Sequence, residues 1–165
     1  MGQIFYPNFS EWEKRAVRTR NGILFAPQDF TIDYERSRRC YFDWYEALGF
    51  EEKVLRPNGW RLPTANELEE VTEEGHEFIF RKLNLGLYGY IPNDKMVDYR
   101  CTFSPVGSRF VSEISMRGYY WSSTSDTSST AFVIGFGGSR LVKDQPAVDS
   151  YEKGYGRNIR CVRDI

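Results

Sequence analysis

The chain from residue 119 onward constrains the fold most, because apolar side chains recur there with the period of two that is typical of half-buried strands. Phe132 and Ile134, for example, fall on one face of a strand. The pattern predicts strands at residues 119–123, 130–136, 139–143 and 158–163. The glycine pair 137–138 is a hairpin-turn signal, and a loop is expected at 144–156. We therefore expect a small antiparallel sheet.

Two helices are predicted before this sheet. The first runs from an N-cap at Asp33 to about Leu48, since aromatic residues recur along it at helical spacing. The second begins with a capping box formed by Thr64 and Glu67 and ends near Gly75. Helices followed by an antiparallel meander make an α+β domain.

The residues before the first helix carry weaker signals. A short buried strand is predicted at 22–26, where four apolar side chains follow a glycine and a proline comes next. Residues 1–21 are expected to be a polar, irregular N-terminal extension, with Phe9 and Trp12 as its anchors. We expect one domain over residues 1–165, which is an ordinary length for a single hydrophobic core.

The residues that carry most enzyme and metal chemistry are too sparse to form a known motif. His76 is the one histidine, and the cysteines at 40, 101 and 161 form no CxxC pair, so the sequence has no zinc pattern. It also has no glycine-rich phosphate loop before a helix. We expect no cofactor, no metal and no enzymatic activity. A calcium ion held by Asn93, Asp94 and Asp98 remains the alternative.

Charge and hydropathy exclude two classes of partner. The formal net charge is -1, which provides no general attraction for nucleic acid. No stretch approaches the roughly 20 apolar residues of a membrane span, so we expect no membrane insertion. The aromatic share of 16% is high and suits either a core or a binding surface.

Four motifs in order give the chain a family resemblance. They are the Gly-Trp-Arg-Leu-Pro-Thr of residues 59–64, the aromatic and glycine-rich 83–90, the Gly-Tyr-Tyr-Trp-Ser-Ser-Thr of 118–124, and 158–164. Together they resemble the Fibrobacter succinogenes major paralogous domain and the related DUF1566 family, which belong to the C-type-lectin-like superfamily. The resemblance implies two helices packed on a small twisted antiparallel sheet with long loops and neighbouring chain ends.

The same resemblance implies roles for individual residues. Trp60, Leu62 and Trp121 would be core anchors, and Arg61 would be a buried donor to loop carbonyls. The sequence Trp-Ser-Ser at 121–123 replaces the Trp-Asn-Asp of calcium-binding lectins, so calcium-dependent sugar binding is not implied.

The resemblance also bears on the cysteines. In lectin-like folds the first helix packs near the C-terminal strand, which implies that Cys40 and Cys161 are neighbours. We expect two reduced thiols rather than a disulfide, with Cys101 unpaired.

These observations favour a binding module for adhesion or recognition of a protein or glycan at a cell or virion surface. The candidate contact residues are Tyr120, Ser125, Asp126, Arg140, Tyr151 and Tyr155. The alternative is a structural or decoration subunit of a virion or surface assembly with no small ligand, and an enzyme comes third. Oligomer formation would favour the structural alternative.

Overall fold

Short helices and short antiparallel strands make up the chain in the computed structural model, which describes residues 3–95, 117–137 and 145–165. The helices of these residues are Phe9–Arg15 (α1), Trp44–Phe50 (α2) and Ala65–Glu74 (α3). The strands are Val17–Arg18 (β1), Leu24–Phe25 (β2), Ile32–Asp33 (β3), Arg38–Arg39 (β4), Arg117–Ser125 (β5), Thr130–Gly137 (β6), Ala147–Glu152 (β7) and Val162–Arg163 (β8). Shorter helical turns lie at Glu51–Leu55, Arg56–Asn58, Phe78–Lys82 and Asn93–Lys95. The α+β class predicted from the sequence is confirmed.

The principal sheet is antiparallel and has the strand order β5–β6–β7. Tyr120 lies opposite Ile134, and the register shifts between Trp121 and Ser125. Strands β5 and β6 were both predicted, because alternating large apolar residues mark them. Strand β7 lies within 144–156, where a loop was expected, and that prediction is wrong. Its residues alternate between exposed and half-buried, as on a sheet edge, so the strand lacks a continuous apolar signal. The strand predicted at 139–143 lies outside the described residues.

A second sheet joins early and late parts of the sequence. Its order is β1–β2–β8, with Phe25 opposite Val162 and Leu24 opposite Arg163. The strand expected at 22–26 is confirmed, although only its central residues pair. The last strand is shorter than predicted, since Asn158 makes only an isolated parallel bridge with Tyr120.

The first predicted helix is wrong over most of its length. Strands β3 and β4 form a two-stranded sheet, in which Asp33 lies opposite Arg38. Helix α2 begins ten residues later than expected, with Asp43 as N-cap and a capping box to Glu46. The aromatic spacing that suggested a helix from residue 33 is compatible with both structures. Only the capping box identifies the true start.

Helix α3 forms as predicted. The hydroxyl of Thr64 accepts from the main-chain N–H of Glu67, and the Glu67 carboxylate accepts from the main-chain N–H of Thr64. Leu68 and Val71 are the buried residues of the helix, and Gly75 caps it with a positive φ of 89°.

The larger core cluster is rich in tryptophan. Trp12, Trp60 and Trp121 are all buried, and the rings of Trp12 and Trp60 meet edge to face at 5.3 Å between centroids. Residues 1–21 are therefore not irregular throughout, because α1 carries Trp12 into this core. The expected anchoring roles of Trp60, Leu62 and Trp121 are confirmed.

Arg61 differs from its expected role. It is partly exposed, and its main partners are the carboxylates of Glu67 at 2.7 Å and Asp164 at 2.8 Å. One carbonyl, that of Leu62, accepts at 3.2 Å. The side chain thus fastens the start of α3 to the segment after β8.

The cysteine prediction also needs correction. Cys40 is disulfide-bonded and follows β4, not a helix, while Cys161 is a free, buried thiol. Cys40 was expected to be reduced, and its bonded state shows that this is wrong, whereas its expected nearness to Cys161 stays a prediction. The third cysteine, Cys101, was expected to be unpaired and lies outside the described residues. Burial raises the pKa of the Cys161 thiol.

Among the helices of the described residues, none is long and apolar enough to cross a membrane.

Candidate functional site

Tyr120, one of the expected contact residues, is buried in the second core cluster and does not reach the surface. Its hydroxyl donates to the carboxylate of Asp29 at 2.8 Å and accepts from the main-chain N–H of Gly86 at 2.8 Å. Burial raises the pKa of Tyr120 well above its ordinary value. Its neighbours on β5, Tyr119 and Trp121, are buried in the larger core cluster, so this part of β5 is covered on both faces and Tyr120 is a core residue. Its selection as a surface contact is therefore corrected.

Asp29 connects Tyr120 to a buried arginine. The guanidinium of Arg160 donates to Asp29 at 2.8 Å and to the main-chain carbonyl of Ala26 at 3.2 Å. A further bond joins Arg160 to the carbonyl of Leu83. This network ties four segments of the chain together, and each of its charged members has an opposite charge beside it. It is a structural network, and no motif in the sequence marks Asp29 as part of it.

Ser125 and Asp126 lie at the exposed turn between β5 and β6, as expected. The Ser125 hydroxyl donates to the carbonyl of Thr127 at 3.0 Å. The Asp126 carboxylate accepts from the hydroxyl of Ser150 at 2.8 Å, which ties the turn to β7. Arg140, the fourth candidate in sequence order, lies outside the described residues.

Tyr151 and Tyr155 belong to one group of four tyrosines, which we call the tyrosine cluster and define as Tyr90, Tyr119, Tyr151 and Tyr155. The rings of Tyr90 and Tyr155 stack at 5.5 Å between centroids. Tyr119 meets Tyr151 edge to face at 5.7 Å and Tyr90 at 5.6 Å. Tyr119 is buried, with 5% of its surface exposed, and the other members are half-buried. The cluster therefore consists of partly exposed rings that pack against the buried ring of Tyr119.

Arg157 lies beneath these rings. Its guanidinium carbon is 4.7 Å from the ring centroid of Tyr151 and between 5.2 and 5.7 Å from those of Tyr90, Tyr119, Trp121 and Tyr155. The residue is 1% exposed. Its Nε and Nη1 atoms are buried without a hydrogen-bond partner. Cation–π attraction to the rings is thus the principal interaction that offsets its loss of water.

Burial has a measurable consequence for this charge. Loss of hydration lowers the pKa of Arg157 to about 10, while the neighbouring tyrosines and Glu152 act in the opposite direction. Since this pKa is still well above 7, the guanidinium stays charged at neutral pH.

The main chain fixes the position of Arg157. Its N–H donates to the carbonyl of Phe42 at 3.0 Å, and its carbonyl accepts from the N–H of Phe42 at 3.0 Å. The adjacent Gly156 forms a similar pair with Ile91, at 2.7 and 2.9 Å. These four bonds hold the segment around Tyr155 between two other parts of the chain. The cluster is therefore formed before any ligand arrives.

The hydroxyl groups of Tyr119 and Tyr151 stay protonated at neutral pH and can donate hydrogen bonds. Burial raises the pKa of both Tyr119 and Tyr151, and the carboxylate of Asp149 adds to the effect on Tyr151. Arg117 and Arg157 oppose these increases through their positive charge. The site thus combines ring faces, phenolic donors and fixed positive charge, which is a set of groups suited to binding.

Two residues of this site were predicted from the sequence, and three were not. Tyr151 and Tyr155 were selected, whereas Tyr90, Tyr119 and Arg157 were not. The available signal was Gly-Tyr-Gly-Arg at 154–157, where small residues flank an aromatic one shortly before a cation.

The described residues contain no group of three His, Cys, Asp or Glu side chains that could hold a metal ion. Of the alternative calcium ligands, Asn93 and Asp94 are exposed in a short helical turn. Asp98 lies outside the described residues.

Comparison with known proteins gives no match, either to a protein-family model or to a curated protein.

Proposed function

We propose that the chain is a non-enzymatic recognition module that binds a protein or glycan at a cell or virion surface through the tyrosine cluster. The observation that supports this is the arrangement of half-buried tyrosine rings around Arg157. Tyrosine provides a large contact area with few rotatable bonds, so little entropy is lost when it is fixed against a ligand. The main-chain clamps on Arg157 and Gly156 reduce that cost further, because the cluster is already ordered.

We also propose that the fold is C-type-lectin-like. Two features support this: the three-stranded antiparallel sheet β5–β6–β7, and the pairing of β2 with β8, which brings early and late segments together. The Trp60 and Trp121 anchors expected from the family resemblance occupy the core. An experimental structure with a different strand connectivity would refute this part of the proposal.

The proposed function is tested with tyrosine variants on a glycan array and an array of cell-surface proteins. Tyr151→Ala and Tyr155→Ala should lower binding by at least tenfold, because each removes a ring from the cluster. Tyr45→Ala is the matched control, since Tyr45 is 58% exposed and lies on α2 outside the cluster. Equal binding by all three variants and the original chain would contradict the proposal.

A separate observation favours the structural alternative. The consecutive side chains of Ile4, Phe5 and Tyr6 are all exposed, at 53%, 53% and 45%. Phe5 also pairs with Asp33 at the edge of the β3–β4 hairpin, so the segment is held in place. An assembly subunit would bury these side chains against a neighbour. Sedimentation should then show concentration-dependent oligomers that Phe5→Glu abolishes, and a monomer at all concentrations would exclude this alternative.

A further inference from the structure

The tyrosine cluster differs from an aromatic cage for a cationic ligand in one respect. In such a cage the ring faces surround the ligand's positive charge. Here Arg157 already occupies that position, within 6 Å of five ring centroids. A second cation at the same rings would meet like-charge repulsion at short range. The site therefore disfavours positively charged ligands.

Within the part of the chain that the structure describes, no carboxylate forms an ion pair with the guanidinium of Arg157. Arg160, which is also buried, pairs with Asp29 at 2.8 Å. Arg157 makes no comparable ion pair among the described residues, and its Nε and Nη1 have no hydrogen-bond partner. A buried charge without an opposite charge is costly, and an anionic group brought nearby would relieve that cost.

We propose that the tyrosine cluster binds a carboxylate-bearing glycan, with Arg157 as the positioning charge beneath the rings. This rests on the proposed function of the cluster. The C–H faces of a sugar pack on the half-buried rings of Tyr90, Tyr151 and Tyr155. Its carboxylate accepts hydrogen bonds from the phenolic hydroxyls. Arg157 acts through the rings and does not touch the ligand.

The other charges near the cluster do not cancel this preference. Asp149 and Glu152 lie on β7, but both are exposed, and water and salt screen them strongly. Arg157 is buried, so its field is screened least, and Arg117 adds positive charge near Tyr119 and Tyr151. Among the described residues, the weakly screened charge of Arg157 therefore favours an anion at the rings.

A pair of probes that differ only in charge tests the inference. Oligosaccharides ending in glucuronic acid or sialic acid are compared with their methyl esters, which keep the shape and remove the charge. The original chain should bind the acids roughly tenfold or more tightly, with a difference that shrinks as salt increases. Arg157→Met should remove the preference, and Arg157→Lys should keep part of it. A merely structural Arg157 would not change the acid-to-ester ratio.

The outcomes separate the inference from the proposed function. Equal binding of acids and esters, lost in Tyr151→Ala, would overturn the inference and leave the proposed function standing. Binding of neutral glycans or of acidic peptides, with no binding of carboxylated glycans, would overturn the ligand class. Absence of binding by every acidic probe would also overturn it. The acid-to-ester comparison uses the unmodified chain, so it does not depend on the folding of a variant.

Discussion

At the scale of single residues, the buried arginines show how differently one side chain can be accommodated. Arg39 pairs with Glu46, and Arg160 pairs with Asp29, so each has its charge balanced within the fold. Arg157 instead faces tyrosine and tryptophan rings. Each good contact with a ring face stabilises a cation by about 0.5–2 kcal/mol. Replacing Arg157 should therefore change the free energy of unfolding differently from replacing the paired Arg39 or Arg160.

Replacing Arg157 with methionine should leave the free energy of unfolding unchanged or raise it by about 1–3 kcal/mol. Methionine fills a similar volume and has no charge to desolvate. The sign agrees with the pKa of Arg157: a cation whose pKa is lowered to about 10 by burial destabilises the folded state at neutral pH. Urea unfolding measures the change. A loss of several kcal/mol would show that the cation–π contacts outweigh desolvation.

Replacing Trp121 with alanine should destabilise the protein by roughly 3–5 kcal/mol, as large aromatic deletions in cores do. Trp121 is fully buried, and its indole N–H donates to the carbonyl of Phe42 at 2.7 Å. Both the packing and this bond would be lost. Thermal or urea unfolding measures the effect, with Tyr45→Ala as a surface control that should change stability little. An unaltered melting temperature would refute the core role of Trp121.

At the scale of elements, local signals predicted structure well and long-range ones did not. Helix α3 was predicted because its capping box, Thr64 and Glu67, acts over four residues and is visible in the sequence. The hairpin β3–β4 was mistaken for a helix because the aromatic spacing from residue 34 onward fits both structures. Strand β7 was missed for a related reason, since a sheet edge needs few apolar residues. The spacing of apolar residues along the chain indicates which face of an element is buried. It does not indicate which other element packs against that face.

The capping box also predicts a dependence on pH. Burial would raise the pKa of Glu67, but hydrogen bonds from Arg61 and Thr64 outweigh it, so this pKa is lowered. A lowered carboxylate pKa stabilises the folded state above the ordinary pKa near 4.5, and this contribution is lost as pH falls below it. Glu67→Gln should therefore destabilise at pH 7 by about 1 kcal/mol and much less at pH 3. Urea unfolding at both pH values measures this. An equal loss at both would exclude the ionised carboxylate as the cause.

At the scale of the whole molecule, the α+β class followed from the sequence, but only part of the site did. Tyr151 and Tyr155 were selected because they lie in the late, loop-rich part of the chain. Tyr90 and Tyr119 join them only after folding, and Arg157 becomes unusual only when rings close over it. The burial of a side chain and the residues that it contacts are determined only when the whole chain has folded. The residue pattern of a single segment therefore cannot predict them.

The fold should not depend on a divalent metal ion. The described residues hold no cluster of metal-ligating side chains, and the tryptophan-rich core supplies apolar packing in its place. Thermal unfolding should therefore give the same midpoint with and without excess EDTA. A drop of many degrees on chelation would reveal a metal that holds the structure together.

The pairing of β2 with β8 has a consequence for how the protein is made. Residues 157–163 insert between segments synthesised much earlier, since Arg157 bonds to Phe42 and Val162 pairs with both Phe25 and Arg61. Until residues 157–163 have left the ribosome, the nascent chain lacks this segment and its core stays uncovered. Such late closure makes a waiting polypeptide prone to aggregate and gives chaperones a window in which to bind.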